Sequence, residues 1–154
     1  MRFIHYGSES FDISKFTPVQ NRPLSNKPIG GLWASPLDAE FGWKEWCEGE
    51  NFHTERLVSS FKFSLSSDSK VIVISKEKDT EALPLYIEKM AERMMQRLGD
   101  AMVIKPIDFK KLMADGVDAI LFNASADWML RYGALSGWDC DSLLVLNPAV
   151  IIPE

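Results

Sequence analysis

The fold of this chain depends most on residues 30–35, which read Gly-Gly-Leu-Trp-Ala-Ser. Two glycines followed by apolar residues predict a short strand whose start leaves the backbone open to a ligand. Ser35 and Pro36 then favour the start of a helix, because serine caps helices and proline is tolerated at the first helical position. We expect this helix to end near Glu48, with Trp43 in one of its apolar rows.

On either side of this stretch, the hydrophobic pattern predicts most of the remaining elements. Strands are predicted at residues 2–7, 59–65, 71–74, 102–104, 119–122 and 142–146, and short helices at 108–114 and 126–132. A long helix is predicted from Asp79 to Leu98. Its buried face would consist of Leu83, Ile87, Met90, Ala91, Met94 and Leu98.

Strands and helices are mixed in this pattern without a steady β-α-β rhythm. We therefore expect an α+β protein, with residues 1–154 forming a single domain. Residues 8–29 contain three prolines and little periodicity, which predicts a long ordered loop. Because this loop joins two predicted strands, we expect it to cover a cleft at their ends.

The composition bounds the class of protein. A net charge of −5 argues against wide contact with a phosphate backbone, and the apolar runs are too short to span a bilayer. Cys47 and Cys140 lack the paired spacing of a zinc site, and residues 1–5 carry no apolar leader. We expect a cytoplasmic protein that needs no metal.

Three segments, at residues 3–8, 27–35 and 138–145, each combine a predicted strand with polar or aromatic residues. In these segments the chain resembles the ADP-ribosyltransferase superfamily, in a divergent form of its His-Tyr-Glu branch. His5-Tyr6-Gly7-Ser8 looks like the His-Gly-Ser motif of that branch with one residue inserted. Residues 31–35 look like its Gly-x-Tyr-x-Ser strand, with Trp33 in place of tyrosine. Asp141 stands where a late strand of the family opens with glutamate.

The resemblance implies a split, antiparallel or mixed sheet with flanking helices. It also implies a domain that binds NAD or a related nucleotide as its substrate and transfers ADP-ribose. The alternative is a non-catalytic interaction or nucleotide-binding module on the same fold, and a third interpretation is an unrelated α+β domain. The sequence does not identify an acceptor, whether protein or nucleic acid.

The resemblance also assigns roles to individual residues. Asp141 and His5 would be catalytic, because a carboxylate stabilises the positive charge that builds on the ribose as nicotinamide departs, and histidine can hold ribose hydroxyls. The nucleotide-binding residues would be His5, Tyr6, Gly7, Ser8, Arg22, Lys27, Trp33 and Ser35. Asp139 competes with Asp141, because the register of a short strand is uncertain. We expect His5, Trp33 and Asp141 to converge on one cleft.

Overall fold

The structure of the protein, a computed structural model, describes residues 1–23, 25–86, 93, 96–97 and 106–154. Its strands are β1 (Arg2–Tyr6), β2 (Gln20–Arg22), β3 (Ser25–Ile29), β4 (Leu32–Pro36), β5 (Ser60–Leu65), β6 (Val71–Ile74), β7 (Ala119–Phe122), β8 (Ser142–Val145) and β9 (Ile151–Pro153). Its α-helices in the described ranges are α1 (Trp43–Glu50) and α2 (Phe109–Ala114). Single 3-10 turns occur at Ile13–Lys15, Thr54–Val58, Glu77–Ala82, Ala124–Ala126, Trp128–Tyr132 and Pro148–Val150.

Seven strands form one mixed sheet in the order β6-β7-β8-β4-β1-β5-β9. The β6–β7 pair is parallel, whereas each other pair of neighbours is antiparallel. Strands β2 and β3 form a separate hairpin. This mixed sheet with few helices confirms the predicted α+β class. The apolar patterns also predicted β1, β5, β6, β7 and β8 to within one residue at each end.

The central strands are buried on both faces, which explains their continuous apolar runs. Alternate residues of β7 and β8 belong to two different core clusters: Ile120 and Leu144 pack in one, and Leu121 and Leu143 in the other. At the far side of β7, the outer strand β6 exposes Val73, so only part of the predicted buried strand is enclosed. Among the described residues, no helix is both long and apolar enough to cross a bilayer.

The predicted loop at residues 8–29 is instead a 3-10 turn followed by the β2–β3 hairpin. Gln20 pairs with Ile29 and Arg22 with Ser25, with an irregularity between the two pairs. Cross-strand pairing of this kind leaves little periodic signal in such short strands, and Pro23 within the turn reads as a loop residue.

The predicted helix start at Ser35 is also wrong. Strand β4 continues through Pro36, and α1 begins only at Trp43, with Gly42 as its N-cap residue. Ser35 nevertheless caps this helix from the neighbouring strand, because its Oγ accepts a hydrogen bond of 2.8 Å from the Trp43 N–H. Ser35 is therefore not the N-cap residue, but its hydroxyl satisfies a helix N–H from the neighbouring strand, as a capping side chain does.

The long predicted helix does not begin at Asp79. That residue lies in the 3-10 turn Glu77–Ala82, where its Oδ2 accepts from the backbone of Ser75 and Lys76. Leu83 is buried as expected. The other positions of the predicted apolar face, and the strand predicted at residues 102–104, lie outside the described residues.

Candidate functional site

Strand β4 changes its pairing partner halfway along. Its first half, from Leu32 to Ala34, pairs with β8, whereas Ser35 and Pro36 pair with β1. The backbone pairing between β1 and β4 ends at Ile4, although β1 continues to Tyr6 along β5. The sheet therefore splits between β1 and β4, and the end of β1 borders an opening.

His5 bridges this split with its side chain. Its Nδ1 lies 2.6 Å from the carbonyl oxygen of Trp33, which can only accept, so Nδ1 carries the proton that is donated. In the neutral ring Nε2 is then an acceptor. Burial lowers the pKa of His5, partly opposed by the bond to the carbonyl, so the ring is neutral at pH 7.

A cleft of about 280 Å³ opens at the split. This volume is slightly below the roughly 300–1,000 Å³ that is usual for small-molecule sites. The residues that line it are Ile4, His5, Tyr6, Lys27, Gly31, Trp33, Ala34, Trp43, Arg56, Trp138, Asp139, Cys140 and Ser142. They come from β1, the β2–β3 hairpin and the glycine turn after it, β4, α1, the 3-10 turn Thr54–Val58, and β8 with the segment that leads into it, so no single element forms the site.

Three tryptophans form the aromatic walls of the cleft. Trp33 meets Trp138 edge to face at a centroid distance of 4.6 Å, and Trp43 stacks on Trp46 at 5.0 Å. The Trp138 Nε1–H donates to the carbonyl of Asn26 at 2.8 Å, which ties this wall to the hairpin. These contacts hold the rings in place before any ligand arrives.

Two opposite charges lie between these walls. The Nζ of Lys27 is 3.8 Å from Oδ2 of Asp139, and both side chains are about one-third exposed, at 38% and 32%. The same ammonium lies 5.5 Å from the Trp33 ring centre and 5.8 Å from that of Trp43. Lys27 therefore contacts an anion and two aromatic faces at once.

The structure brings His5 and Trp33 together as expected, but Asp141 does not join them. Asp141 is only 5% exposed, and its carboxylate accepts from the backbone and hydroxyl of Ser125, both at 2.8 Å, and from the Phe41 N–H at 3.3 Å. Its oxygens thus tie three chain segments together outside the cleft. Asp139, two residues earlier, is the carboxylate that lines it.

Of the other predicted nucleotide-binding residues, Tyr6 and Lys27 line the cleft. Gly7 and Ser8 follow the end of β1 outside its lining, and Ser35 is buried as the cap of α1. Arg22 lies in β2 away from the cleft. Asp12 does not pair with Arg22; its carboxylate accepts from Ser14 and lies near Lys15.

Sequence reasoning missed three contributors to the cleft. The sequence places Trp43 in an apolar row of the predicted helix and Trp138 at the start of the third segment, and it indicates a ligand role for neither. Arg56 lies within the 3-10 turn Thr54–Val58 and has no motif around it, so nothing in the sequence distinguishes it from other surface arginines. Aromatic residues next to glycine, as at Gly42–Trp43 and Gly137–Trp138, were the available signal for the other two.

The polar groups around the cleft have shifted acidities. The pKa of Tyr6 is raised by burial and by the nearby carboxylates of Glu45 and Glu48, so its hydroxyl stays protonated and can donate. Burial raises the pKa of the Cys140 thiol to about 11, which leaves it a neutral and poor nucleophile. Both cysteines are free and buried.

Within the described ranges, no three His, Cys, Asp or Glu side chains are grouped so that they could hold a metal ion. Comparisons of the chain with protein-family models, with curated proteins and with solved structures found no match.

Proposed function

We propose that the cleft binds NAD or a closely related nucleotide and that the chain is a divergent ADP-ribosyltransferase-like domain. The observation that carries the proposal is the order β8-β4-β1 within the sheet. The three segments with the family resemblance, which are far apart in sequence, contribute these three adjacent strands. The split between β1 and β4 beside His5 opens a cleft between these strands, and a nucleotide site needs such a cleft.

The groups in the cleft match the chemistry of the ligand. The Nδ1–H of His5 donates a hydrogen bond to the Trp33 carbonyl. Its Nε2 is therefore free to accept a hydrogen bond from a ribose hydroxyl. Trp33 offers a flat surface for the nicotinamide ring. Lys27 and Arg56 provide positive charge for phosphates on a chain whose net charge is −5.

In the transfer reaction, the bond between the ribose C1′ and the nicotinamide nitrogen breaks, and the electron pair leaves with nicotinamide. The ribose becomes positively charged until an acceptor nucleophile forms the new bond to C1′ and releases its proton to water. Asp139 is the carboxylate in the cleft that can stabilise this charge, and we assign it the role that the resemblance gave to Asp141.

One observation favours the second candidate, a domain that binds the nucleotide without turnover. The Asp139 carboxylate already pairs with Lys27, which offsets the negative charge that the reaction would use. Aspartate is also one methylene shorter than the glutamate of the family, and a displacement of about 1 Å can lower a rate on the order of 100-fold.

Two measurements on the same protein test the proposal. Calorimetry at low salt follows NAD binding, and chromatography follows released nicotinamide. We expect saturable binding, and an Asp139→Asn variant that still binds but releases nicotinamide about 100-fold more slowly. Asp115→Asn is the matched control, because Asp115 is exposed, pairs with Lys111 and does not line the cleft.

Absence of NAD binding at millimolar concentration would refute the nucleotide site. Binding without release of nicotinamide in the wild type would select the non-catalytic module. Equal rates for Asp139→Asn and the wild type would remove Asp139 from the reaction.

A further inference from the structure

The ammonium of Lys27 occupies a seat that suits a cation. Two tryptophan faces, of Trp33 and Trp43, lie within 6 Å of Nζ, the range in which a ring attracts a positive charge. The Asp139 carboxylate adds an opposite charge at 3.8 Å. We call these three side chains the cation seat.

The stem of Lys27 passes close to Gly137. Gly137 has a φ of +87°, and a β-carbon there would come within 3.3 Å of Cβ and 3.8 Å of Cδ of Lys27. Because Gly137 has no side chain, the stem of Lys27 has room to pass over it. On the hairpin itself, the neighbouring Asn26 is buried and its carbonyl accepts from Trp138. The backbone that carries Lys27 is thus anchored, while its ammonium, at the end of four methylenes, can change partners.

We propose that Lys27 is an internal competitor for the cation seat: its ammonium leaves only when a ligand brings both a cationic ring for the seat and a phosphate for the lysine. The inference rests on the proposed function and specifies its substrate class. A cationic ring alone meets a seat that is already filled, and repulsion between the two positive charges opposes its entry. A ligand with a phosphate gives Lys27 a new charge-assisted bond in exchange.

Three small probes separate these requirements. 1-Methylnicotinamide is a permanently cationic ring without phosphate, nicotinamide is the same ring without the charge, and nicotinamide mononucleotide joins the cationic ring to a phosphate. Each is titrated by calorimetry into the wild type and into Lys27→Met, which keeps an unbranched stem against Gly137 but has no charge.

The Lys27→Met variant should bind 1-methylnicotinamide about 10-fold more tightly than the wild type does, because the seat is vacated. Its affinity for uncharged nicotinamide should change by less than about 2-fold. The preference for the mononucleotide over 1-methylnicotinamide should fall about 10-fold, because the phosphate loses its partner.

Arg22→Met is the matched control, since Arg22 lies on the same hairpin, is exposed and does not line the cleft. It should leave all three affinities unchanged. Asp139→Asn is a second variant, and it should weaken binding of 1-methylnicotinamide in the Lys27→Met background.

Two outcomes would overturn the inference: no gain for 1-methylnicotinamide in Lys27→Met, or an equal gain for uncharged nicotinamide, which would mean that Lys27 acts only by its bulk. Its failure is distinct from failure of the nucleotide site. If the wild type binds NAD and either outcome is found, the competitor is refuted and the nucleotide site stands. If the wild type binds neither NAD nor the mononucleotide, the proposed nucleotide site is refuted, and so is the proposal that Lys27 leaves the cation seat to bind a phosphate. Tighter binding of 1-methylnicotinamide by Lys27→Met would in that case support only the claim that the cation seat attracts cations.

Discussion

Replacement of Asp141 by alanine should destabilise the protein without acting through the cleft. The carboxylate is 5% exposed and accepts two hydrogen bonds of 2.8 Å from Ser125 and a longer one of 3.3 Å from the Phe41 N–H. A hydrogen bond to a charged group contributes roughly 1.5–3 kcal/mol. Counting the two short bonds, we expect a loss of about 3–6 kcal/mol in the free energy of unfolding.

The measurement is urea unfolding followed by circular dichroism at pH 7. Asp139→Ala is the control, because Asp139 has the same side chain two residues away and forms only a partly exposed ion pair with Lys27. Pairs of that kind contribute about 0–1 kcal/mol, so this variant should keep nearly the full stability. A loss below about 1 kcal/mol for Asp141→Ala, or equal losses for both variants, would refute the structural role of Asp141.

Four further outcomes are expected. Ser35→Ala should cost about 1 kcal/mol in a urea melt, because it removes the cap on the Trp43 N–H; an unchanged midpoint would contradict that cap. Gly31→Ala should cost about 2–4 kcal/mol, since φ is +71° and a β-carbon would lie 2.5 Å from a leucine methyl; a neutral result would show that the backbone relaxes there. Burial lowers the pKa of His5 below 6.5, so the unfolded chain takes up a proton at this residue first, and the free energy of unfolding should fall as pH drops below about 6.5. The His5→Gln variant should therefore lose less stability than the wild type between melts at pH 7.5 and pH 5.5. An equal loss in both proteins would contradict this prediction. The Cys140 thiol, with a pKa raised to about 11, should resist alkylation at pH 8 until urea unfolds the chain, as followed by mass spectrometry; rapid labelling of the folded protein would disprove its burial.

The sequence located most of the sheet, because strands buried on both faces need uninterrupted apolar residues. Val71–Ile74, Ala119–Phe122 and Ser142–Val145 are such runs. The strand at residues 60–65 was visible for a different reason, namely that Phe61 and Phe63 alternate with polar residues. The short strand β9 was not predicted, because its three residues carry no periodicity and end in proline.

The sequence also selected the three segments that border the cleft, through residue types placed at strand ends. The sequence could not decide which side chains enter the cleft, because residues two apart share one face of a strand and the sequence pattern does not fix the register. Asp139 and Asp141 are the same residue type in one short segment. Only the packing of Phe41 and Ser125 around Asp141 decided which of the two became structural.

Contacts between distant segments determined the rest. His5 acquires its proton position from the carbonyl of Trp33, and Lys27 its charge environment from Trp43 and Asp139, residues that lie between 16 and 112 positions away. No local pattern encodes these pairs, since each depends on how the hairpin and α1 pack at the split. The sequence by itself therefore determined most strands of the main sheet and the three segments that border the cleft, while tertiary packing decided the contacts of His5, Lys27 and Asp139 within it.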